Sequence, residues 1–291
     1  MITVKIQGGL GNQLFQYAFG RQLALAHNVE LLLDTTIYED YPFHEYGLGV
    51  FVIAEQFATK EAVAAFKKVK PRKGRRNIVY NALFADPHEY IVERKFSYDA
   101  SIQKEGPNAY FDGYWQTEKY FAGIEEIIRK DFTLKVPLSE HGKYAAEIIR
   151  NTTAISLHVR RGLYVSHPVF SAIHGACTPE YFKNAIDYIS SRVENPHFFI
   201  FSDDQAWARE NIKPNFQTTY MENPQKGLDY EDIILMSMCK HHILANSTFS
   251  WWGAWLNPDK DKIVVGPKNW FKIPRYNQNT PDILPEAWIR L

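Results

Sequence analysis

Two adjacent arginines stand where a predicted strand ends, and they are the side chains best suited to bind an anion. Arg160 and Arg161 follow the apolar segment 153–159 and precede a glycine. Packing gives no reason for two permanent charges here, whereas a guanidinium group matches phosphate oxygens in bidentate pairs. We predict that the pair binds a phosphate or diphosphate; the alternative is an arginine paired with a carboxylate that fixes the turn. His158 shares a strand face with Arg160 and is either a ligand of the same site or a satisfied core histidine.

A second group of polar residues lies between another predicted strand and a helix. Its members have short hydrogen-bonding side chains: Asn246, Ser247, Thr248 and Ser250. Hydroxyl groups and the free N–H groups of a helix start together form an anion site that needs no metal. We expect these residues to contact an anion. The alternative is ordinary capping of the helix by Ser247 or Ser250.

Two neighbouring carboxylates, Asp203 and Asp204, end a strand rich in phenylalanine. Such a pair can bind a divalent metal, as in metal-dependent sugar transferases. In the other interpretation the two separate, one capping the next helix and one contacting a ligand or an arginine. We favour this second interpretation and predict no metal. The D-x-D sequence at 259–261 lies in a turn after a proline and is interpreted as surface.

The N-terminal segment carries a glycine-rich turn between a predicted strand and a helix. Its candidate residues for contact with an acceptor or for the ligand cleft are Gly9, Gly11, Asn12 and Gln13. Glycines let the backbone approach a ligand closely, and Asn12 can cap the helix. The dinucleotide pattern G-x-G-x-x-G is incomplete because Leu14 takes the third glycine position, although Asp34 stands where a ribose-binding acid would. A nicotinamide-dependent oxidoreductase is therefore a weaker alternative, and a tight turn without a ligand is the structural one.

Alternating strands and helices must position these groups. Apolar patterns predict strands at 2–6, 29–33, 110–115, 153–159, 197–202, 242–245 and 262–265, with helices between them that include 14–25 and 118–130. This order is typical of parallel α/β sheets, in which ligands bind beyond the carboxyl ends of the strands. The pattern lapses at 133–143, so we predict two doubly wound domains, 1–140 and 141–291, with a ligand cleft between them.

Composition limits the possible functions. The chain has 291 residues, with 33 Lys and Arg against 33 Asp and Glu, so no chain-wide field favours nucleic acid. Two cysteines cannot form a disulfide framework and the N-terminus lacks a signal-peptide pattern, so we expect a cytoplasmic protein. Segment 67–76 holds seven basic residues. It is interpreted as a solvated loop, with docking on an anionic membrane as the alternative.

Four segments in order carry a family resemblance. They are G-G-L-G-N-Q-L-F-Q at 8–16, H-V-R-R-G at 158–162, S-D-D with its tryptophan at 202–207, and the run from Asp232 to N-S-T-F-S-W-W-G-A-W-L at 246–256. Each is weak alone, but together they span nearly the whole chain. The chain resembles the α-1,2-fucosyltransferases of glycosyltransferase family 11.

The resemblance implies a GT-B-like fold of two Rossmann-like domains, the first on the acceptor side and the second binding the donor. It implies transfer of L-fucose from GDP-β-L-fucose to the 2-hydroxyl of a galactoside in a surface glycan, with inversion and without a metal or other cofactor. Asp232 is implied to bind guanine. With the residues argued above from their chemistry, the predicted donor contacts are His158, Arg160, Asp203, Asp204, Asp232, Asn246, Ser247, Thr248 and Ser250. A lipid-linked acceptor would place the enzyme at the inner face of the membrane.

One position departs from the family pattern. Such enzymes usually carry Asp in H-x-R-R-G-D-Y, and Leu163 stands there in this chain. The missing carboxylate either orients an arginine or takes the proton of the acceptor hydroxyl, so a weakened relative that still binds nucleotide sugar is the alternative function. The expected catalytic residues are Arg160 and Arg161, which stabilise the leaving diphosphate, and His174 as the base if it lies elsewhere.

Overall fold

The chain forms two compact units, and each contains its own parallel sheet. The computed structural model describes residues 1–68, 89–222 and 227–291. The units comprise Met1–Lys135 and Val136–Leu291, whereas the sequence pattern predicts a boundary after residue 140. The difference has a local cause: the backbone N–H of Ser139 donates to the buried Glu231 of the second unit at 2.6 Å. The basic segment at 67–76 lies outside the described residues except for its first two.

The first unit is built on a four-stranded parallel sheet among the residues described. Its strands are β1 (Ile2–Lys5), β2 (Leu31–Asp34), β3 (Glu89–Val92) and β4 (Ala109–Asp112), in the order β2-β1-β4-β3. Its helices are α1 (Leu10–His27), α2 (Lys60–Lys67) and α3 (Glu125–Asp131), with 3-10 turns at Thr36–Glu39, Leu48–Val50, Ile102–Lys104 and Glu118–Tyr120. The central strands are apolar and buried at Ile2, Val4 and Phe111, so the core lies on this sheet.

Two sequence predictions in this unit are wrong in detail. Asn12 does not cap α1, because the carbonyl of Gly9 already accepts its N–H at 2.9 Å and Gly9 is the cap residue. The helix predicted at 118–130 is divided into a 3-10 turn and α3. Gly123 separates them with φ of +91°, a left-handed conformation that interrupts a right-handed helix.

The second unit contains the arginines, the carboxylate pair and the serine-rich helix start. Its strands are β5 (Thr153–Val159), β6 (Pro196–Ser202), β7 (Gln217–Met221), β8 (His241–Ile243), β9 (Val264–Gly266) and β10 (Ile289–Arg290), in the order β10-β9-β8-β5-β6-β7. Its helices are α4 (Glu140–Arg150), α5 (Gly162–Ser166), α6 (Pro168–Ile173), α7 (Pro179–Ser190), α8 (Gln205–Asn211), α9 (Asp229–Ser237), α10 (Thr248–Leu256) and α11 (Pro274–Asn277). Across the described ranges, no helix has the length and apolar character of a membrane span.

The strand order of the second unit brings its candidate residues to one edge. β5 pairs in parallel with β6 on one side and with β8 on the other. The carboxyl ends of these three strands therefore meet: Arg160 and Asp203 follow β5 and β6 directly, and Asn246 follows β8 after two residues. The predicted parallel α/β architecture is confirmed. The short helices α5 and α6 follow the arginines.

Candidate functional site

The arginine pair at the end of β5 is held by the carboxylate pair at the end of β6. Arg160 Nη1 lies 2.9 Å from Asp203 Oδ2, and the backbone N–H of Arg161 donates to Asp203 Oδ1 at 2.7 Å. Arg161 Nε donates to Asp204 Oδ2 at 3.0 Å. We call these four residues the arginine clamp. A guanidinium group has five N–H donors, so pairing with a carboxylate leaves donors for a phosphate.

The two carboxylates separate as the favoured interpretation predicts. Asp204 caps α8, and its Oδ1 accepts the N–H of Trp207 at 3.1 Å. The ring of Trp207 lies 4.1 Å from the guanidinium carbon of Arg161, which is therefore held on two sides. Within residues 1–68, 89–222 and 227–291, no group of three or more His, Cys, Asp or Glu side chains is placed to hold a metal.

The absence of a side chain at Gly162 leaves room for the Asp203 carboxylate of the arginine clamp. A Cβ at this position would lie 2.5 Å from Asp203 Oδ2, closer than real side chains come. Leu163 follows in α5 and is partly buried, and its carbonyl accepts the N–H of His167 at 3.1 Å. Both arginines are thus paired without a carboxylate at position 163.

His158 is a buried, neutral histidine. Its residue is 4% exposed, and its ring centroid lies 5.6 Å from that of Phe249. Burial, with a smaller effect of the Arg160 charge, lowers the pKa of His158 to about 3. Its buried Nδ1 has no hydrogen-bond partner among the described residues, so this is not a satisfied core histidine. Its contact with the donor stays a prediction.

The start of α10 stands next to the clamp because β8 and β5 are neighbours. Ser247 caps the helix, its Oγ accepting the N–H of Phe249 at 3.3 Å. Ser250 is 1% exposed and donates to the carbonyl of Ser247 at 3.2 Å. Both hydroxyls form hydrogen bonds within the start of α10, as the capping alternative predicts. The donor contacts predicted for them and for Thr248 stay predictions. The helix dipole still favours an anion at this end.

Asn246 joins the helix start to two loops. It is 3% exposed, and its amide donates to the carbonyls of Gly175 at 3.0 Å and Trp270 at 3.1 Å. Its Oδ1 accepts from Cys177 Sγ at 3.5 Å, and its own carbonyl accepts from the hydroxyl of Tyr164 at 3.4 Å. The amide is engaged within the protein, so the structure gives Asn246 a positioning role, and its predicted donor contact stays a prediction.

Replacing Asn246 with alanine is expected to destabilise the protein by about 1–3 kcal/mol, because buried carbonyls lose their donor. Urea denaturation of the full chain measures this change. Asn269→Ala is the matched control, since Asn269 is exposed and its loss should stay within about 0.5 kcal/mol. Equal stability of the Asn246→Ala and wild-type proteins would contradict the positioning role.

His174 belongs to an aromatic wall. Its ring stacks on Tyr164 with centroids 4.6 Å apart and 5° between planes, and it lies 5.1 Å from the ring of Phe271. Burial, with the charge of Arg160, lowers the pKa of His174 to about 4. The imidazole is therefore neutral at pH 7 and able to accept a proton, but such a pKa makes it a weak base.

Asp232 lies in the first turn of α9 and is partly buried. Burial, followed by repulsion from Asp229 and Glu231, raises the pKa of its carboxyl to about 7. In the described part of the chain, no cation or hydrogen-bond donor pairs with this carboxylate. Burial of a carboxylate without a partner destabilises the protein, and a bound group with N–H donors would offset that free-energy cost.

Hydrogen bonds from side chains fix the glycine turn of the first unit. Gln13 is fully buried, and its amide donates to the carbonyls of Gly8 at 3.0 Å and Glu45 at 2.8 Å. Asn12 Oδ1 accepts from Gln116 at 2.9 Å. Gly11 and Gln13 are buried, whereas Gly9 and Asn12 are partly exposed. The predicted contacts of these residues with the acceptor stay predictions, and buried Gln13 shapes the turn.

The ribose-binding role considered for Asp34 is wrong. Its residue is 1% exposed, and its carboxylate accepts from the hydroxyls of Tyr110 and Thr36, each at 2.6 Å. Leu14 is fully buried within α1, where a dinucleotide-binding turn would place its third glycine. The oxidoreductase alternative therefore loses its supporting carboxylate.

Two aromatic residues beside the arginines had no role assigned from sequence. Trp207 covers Arg161, and the ring centroid of Tyr164 lies 5.7 Å from the guanidinium carbon of Arg160. A usable signal existed, because each aromatic residue follows a charged pair by three or four positions. Stacking of arginine on aromatic rings is a frequent contact in proteins.

Fold and site together define a class: an α/β protein of GT-B-like architecture, with two arginines paired to carboxylates at the ends of adjacent parallel strands. The profile of Glycosyl transferase family 11 matches residues 1–291, and the chain belongs to this family of glycosyltransferases. The predicted family is confirmed.

Known proteins support both statements. The chain is 34% identical to the alpha-1,2-colitosyltransferase of Escherichia coli, with 100% of this chain and 99% of the relative covered. It is 32% identical to the O-antigen biosynthesis glycosyltransferase WbnK of Escherichia coli, with 98% and 99% covered. A point mutant of Arabidopsis thaliana FUT1, solved in complex with GDP, superimposes with a TM-score of 0.51 at 12% identity, covering 92% of this chain and 71% of that chain. This last likeness concerns the fold.

Proposed function

We propose that this glycosyltransferase moves L-fucose from GDP-β-L-fucose to the 2-hydroxyl of a galactoside in a surface glycan, with inversion at the anomeric carbon. The arginine clamp is the observation that carries the proposal. Transfer releases a diphosphate, and its growing negative charge must be stabilised. Two guanidinium groups beside a helix start supply that stabilisation from the chain's own groups.

The carboxylates of the arginine clamp also fix the positions of the two guanidinium groups before the reaction. In the described residues, Arg160 uses Nη1 on Asp203, which leaves Nε and Nη2 for phosphate oxygens. Arg161 is held by Asp204 and covered by Trp207. Donors fixed before the reaction need no reorganisation when charge develops, and this is how preorganised sites lower a barrier.

Asp232 is our proposed guanine ligand. The N–H groups on the guanine edge are donors, and an ionised carboxylate accepts two of them at once. Bound guanine would satisfy a carboxylate that is partly buried and lacks a partner in the described chain. The lipid-linked acceptor and the membrane contact of segment 67–76 stay predictions of the sequence.

Colitose is the second candidate sugar. The supporting observation is the 34% identity with a colitosyltransferase along the whole chain. Colitose is L-fucose without its 3-hydroxyl, so both sugars would leave from the same diphosphate site. The arginine clamp can bind the diphosphate of either donor. Groups that contact the sugar ring must therefore distinguish fucose from colitose.

The full chain, mixed with GDP-fucose and a β-galactoside, is expected to release GDP and form an α-1,2-linked product at the same rate in excess EDTA. The arginines, not a metal, carry the leaving-group charge in this proposal. Mass spectrometry and NMR of the product measure transfer and linkage, with GDP-colitose tested in parallel. Activity that needs Mg²⁺ or Mn²⁺, and that disappears in Asp203→Ala, would replace this proposal with a metal mechanism.

A further inference from the structure

A pocket of about 480 Å³ lies in the second unit, within the ~300–1,000 Å³ range of ligand pockets. Tyr164, His174 and Phe271 line it, and their rings form an aromatic wall. Asn246 and Cys177 lie in the same lining. Nothing in the proposed function uses this space.

The pocket shares residues with both parts of the proposed diphosphate site. Tyr164 contacts Arg160, with 5.7 Å between the ring centroid and the guanidinium carbon. The Tyr164 hydroxyl donates to the carbonyl of Asn246 at 3.4 Å, and Asn246 immediately precedes Ser247, the cap of α10. If a diphosphate binds between Arg160 and the start of α10, one of its two substituents, the nucleoside or the sugar, can therefore reach the pocket.

The sugar suits this pocket better than guanine does. Guanine presents N–H donors that a carboxylate satisfies, and no Asp or Glu is among the described residues that line the pocket. The lining offers aromatic faces, the polar side chains of Ser171, Lys268 and Lys272, and a neutral His174 whose buried Nδ1 has no partner in the described chain. Aromatic faces pack on apolar sugar surfaces, and imidazole nitrogens bond hydroxyls.

We propose, resting on the function argued above, that this pocket binds the 6-deoxyhexose of the donor. The methyl group at C6 packs against the aromatic wall, and His174 contacts a ring hydroxyl. The pocket thereby selects a deoxy sugar nucleotide, while the clamp binds the diphosphate that all such nucleotides share.

Calorimetric titration of the full chain with GDP and with GDP-fucose tests the proposal. Ala176 lines the pocket, and Ala176→Trp fills it. This variant is expected to bind GDP-fucose about tenfold more weakly or worse, with GDP affinity within about twofold of wild type. Ala172→Trp is the matched control, because Ala172 is exposed on α6 and outside the lining. Ser171→Phe narrows the pocket from α6 and provides the same comparison if Ala176→Trp unfolds.

The remaining outcomes are distinct. Unchanged GDP-fucose binding in folded Ala176→Trp and Ser171→Phe proteins overturns the sugar pocket. Equal loss of GDP and GDP-fucose in these variants overturns it too, because the pocket then holds the nucleoside. A matching loss in Ala172→Trp also counts against it. Failure of the proposed function looks different: the wild-type chain then binds neither GDP nor GDP-fucose.

Discussion

Arg160→Ala is expected to weaken GDP binding about tenfold or more, since a hydrogen bond to a charged group contributes ~1.5–3 kcal/mol. Fucosyl transfer should fall further, by ~10²–10³-fold, because the arginine acts most strongly on the charge of the transition state. The fold should survive, because Asp203 keeps its bond from the backbone N–H of Arg161 at 2.7 Å. Calorimetry with GDP and initial rates with GDP-fucose measure the two effects.

Arg209→Ala is the control for the loss of an arginine in the same unit. Arg209 is exposed, pairs with Glu222 and stacks on Tyr220, and it pairs with neither Asp203 nor Asp204 among the described residues. It should leave GDP affinity and transfer rate unchanged. A folded Arg160→Ala protein that binds GDP like the wild type would remove Arg160 from the diphosphate site.

Leu163→Asp is expected to raise the transfer rate, by up to the ~10²–10⁴-fold typical of general-base catalysis, with similar GDP affinity. The structure favours the base over the competing explanation, which is orientation of an arginine. Asp203 and Asp204 already hold both arginines, at 2.9 Å and 3.0 Å, so a further carboxylate is not needed to orient them. A carboxylate at position 163 would instead add a proton acceptor beside the clamp.

Leu163→Asn separates the two roles, because an amide accepts hydrogen bonds but takes no proton at neutral pH. The asparagine variant should transfer fucose at the wild-type rate. A gain of equal size in both variants would assign the position to orientation. If neither variant differs from the wild type, the base lies elsewhere, and His174 becomes the residue to substitute next.

Local patterns made much of the second unit predictable. The strand predicted at 153–159 has the bounds of β5, and α7 begins with a local signal, Thr178 as its cap and Pro179 at its first position. Alternating apolar residues and caps act through neighbours in sequence, so they are readable without a fold. The arginine pair is also identifiable from sequence, because two charged residues directly after a buried strand are unusual.

The sequence by itself determined the family, the α/β class, and which charged residues end the central strands. Only the tertiary structure decided how those charges pair. Arg160 meets Asp203 because β5 and β6 are adjacent in the sheet, and Asn246 bonds loops that no local pattern connects to it. The edge strand β7 and the break at Gly123 also escaped prediction. Their conformations depend on contacts between distant segments, whereas a residue pattern reports only the preferences of its own segment.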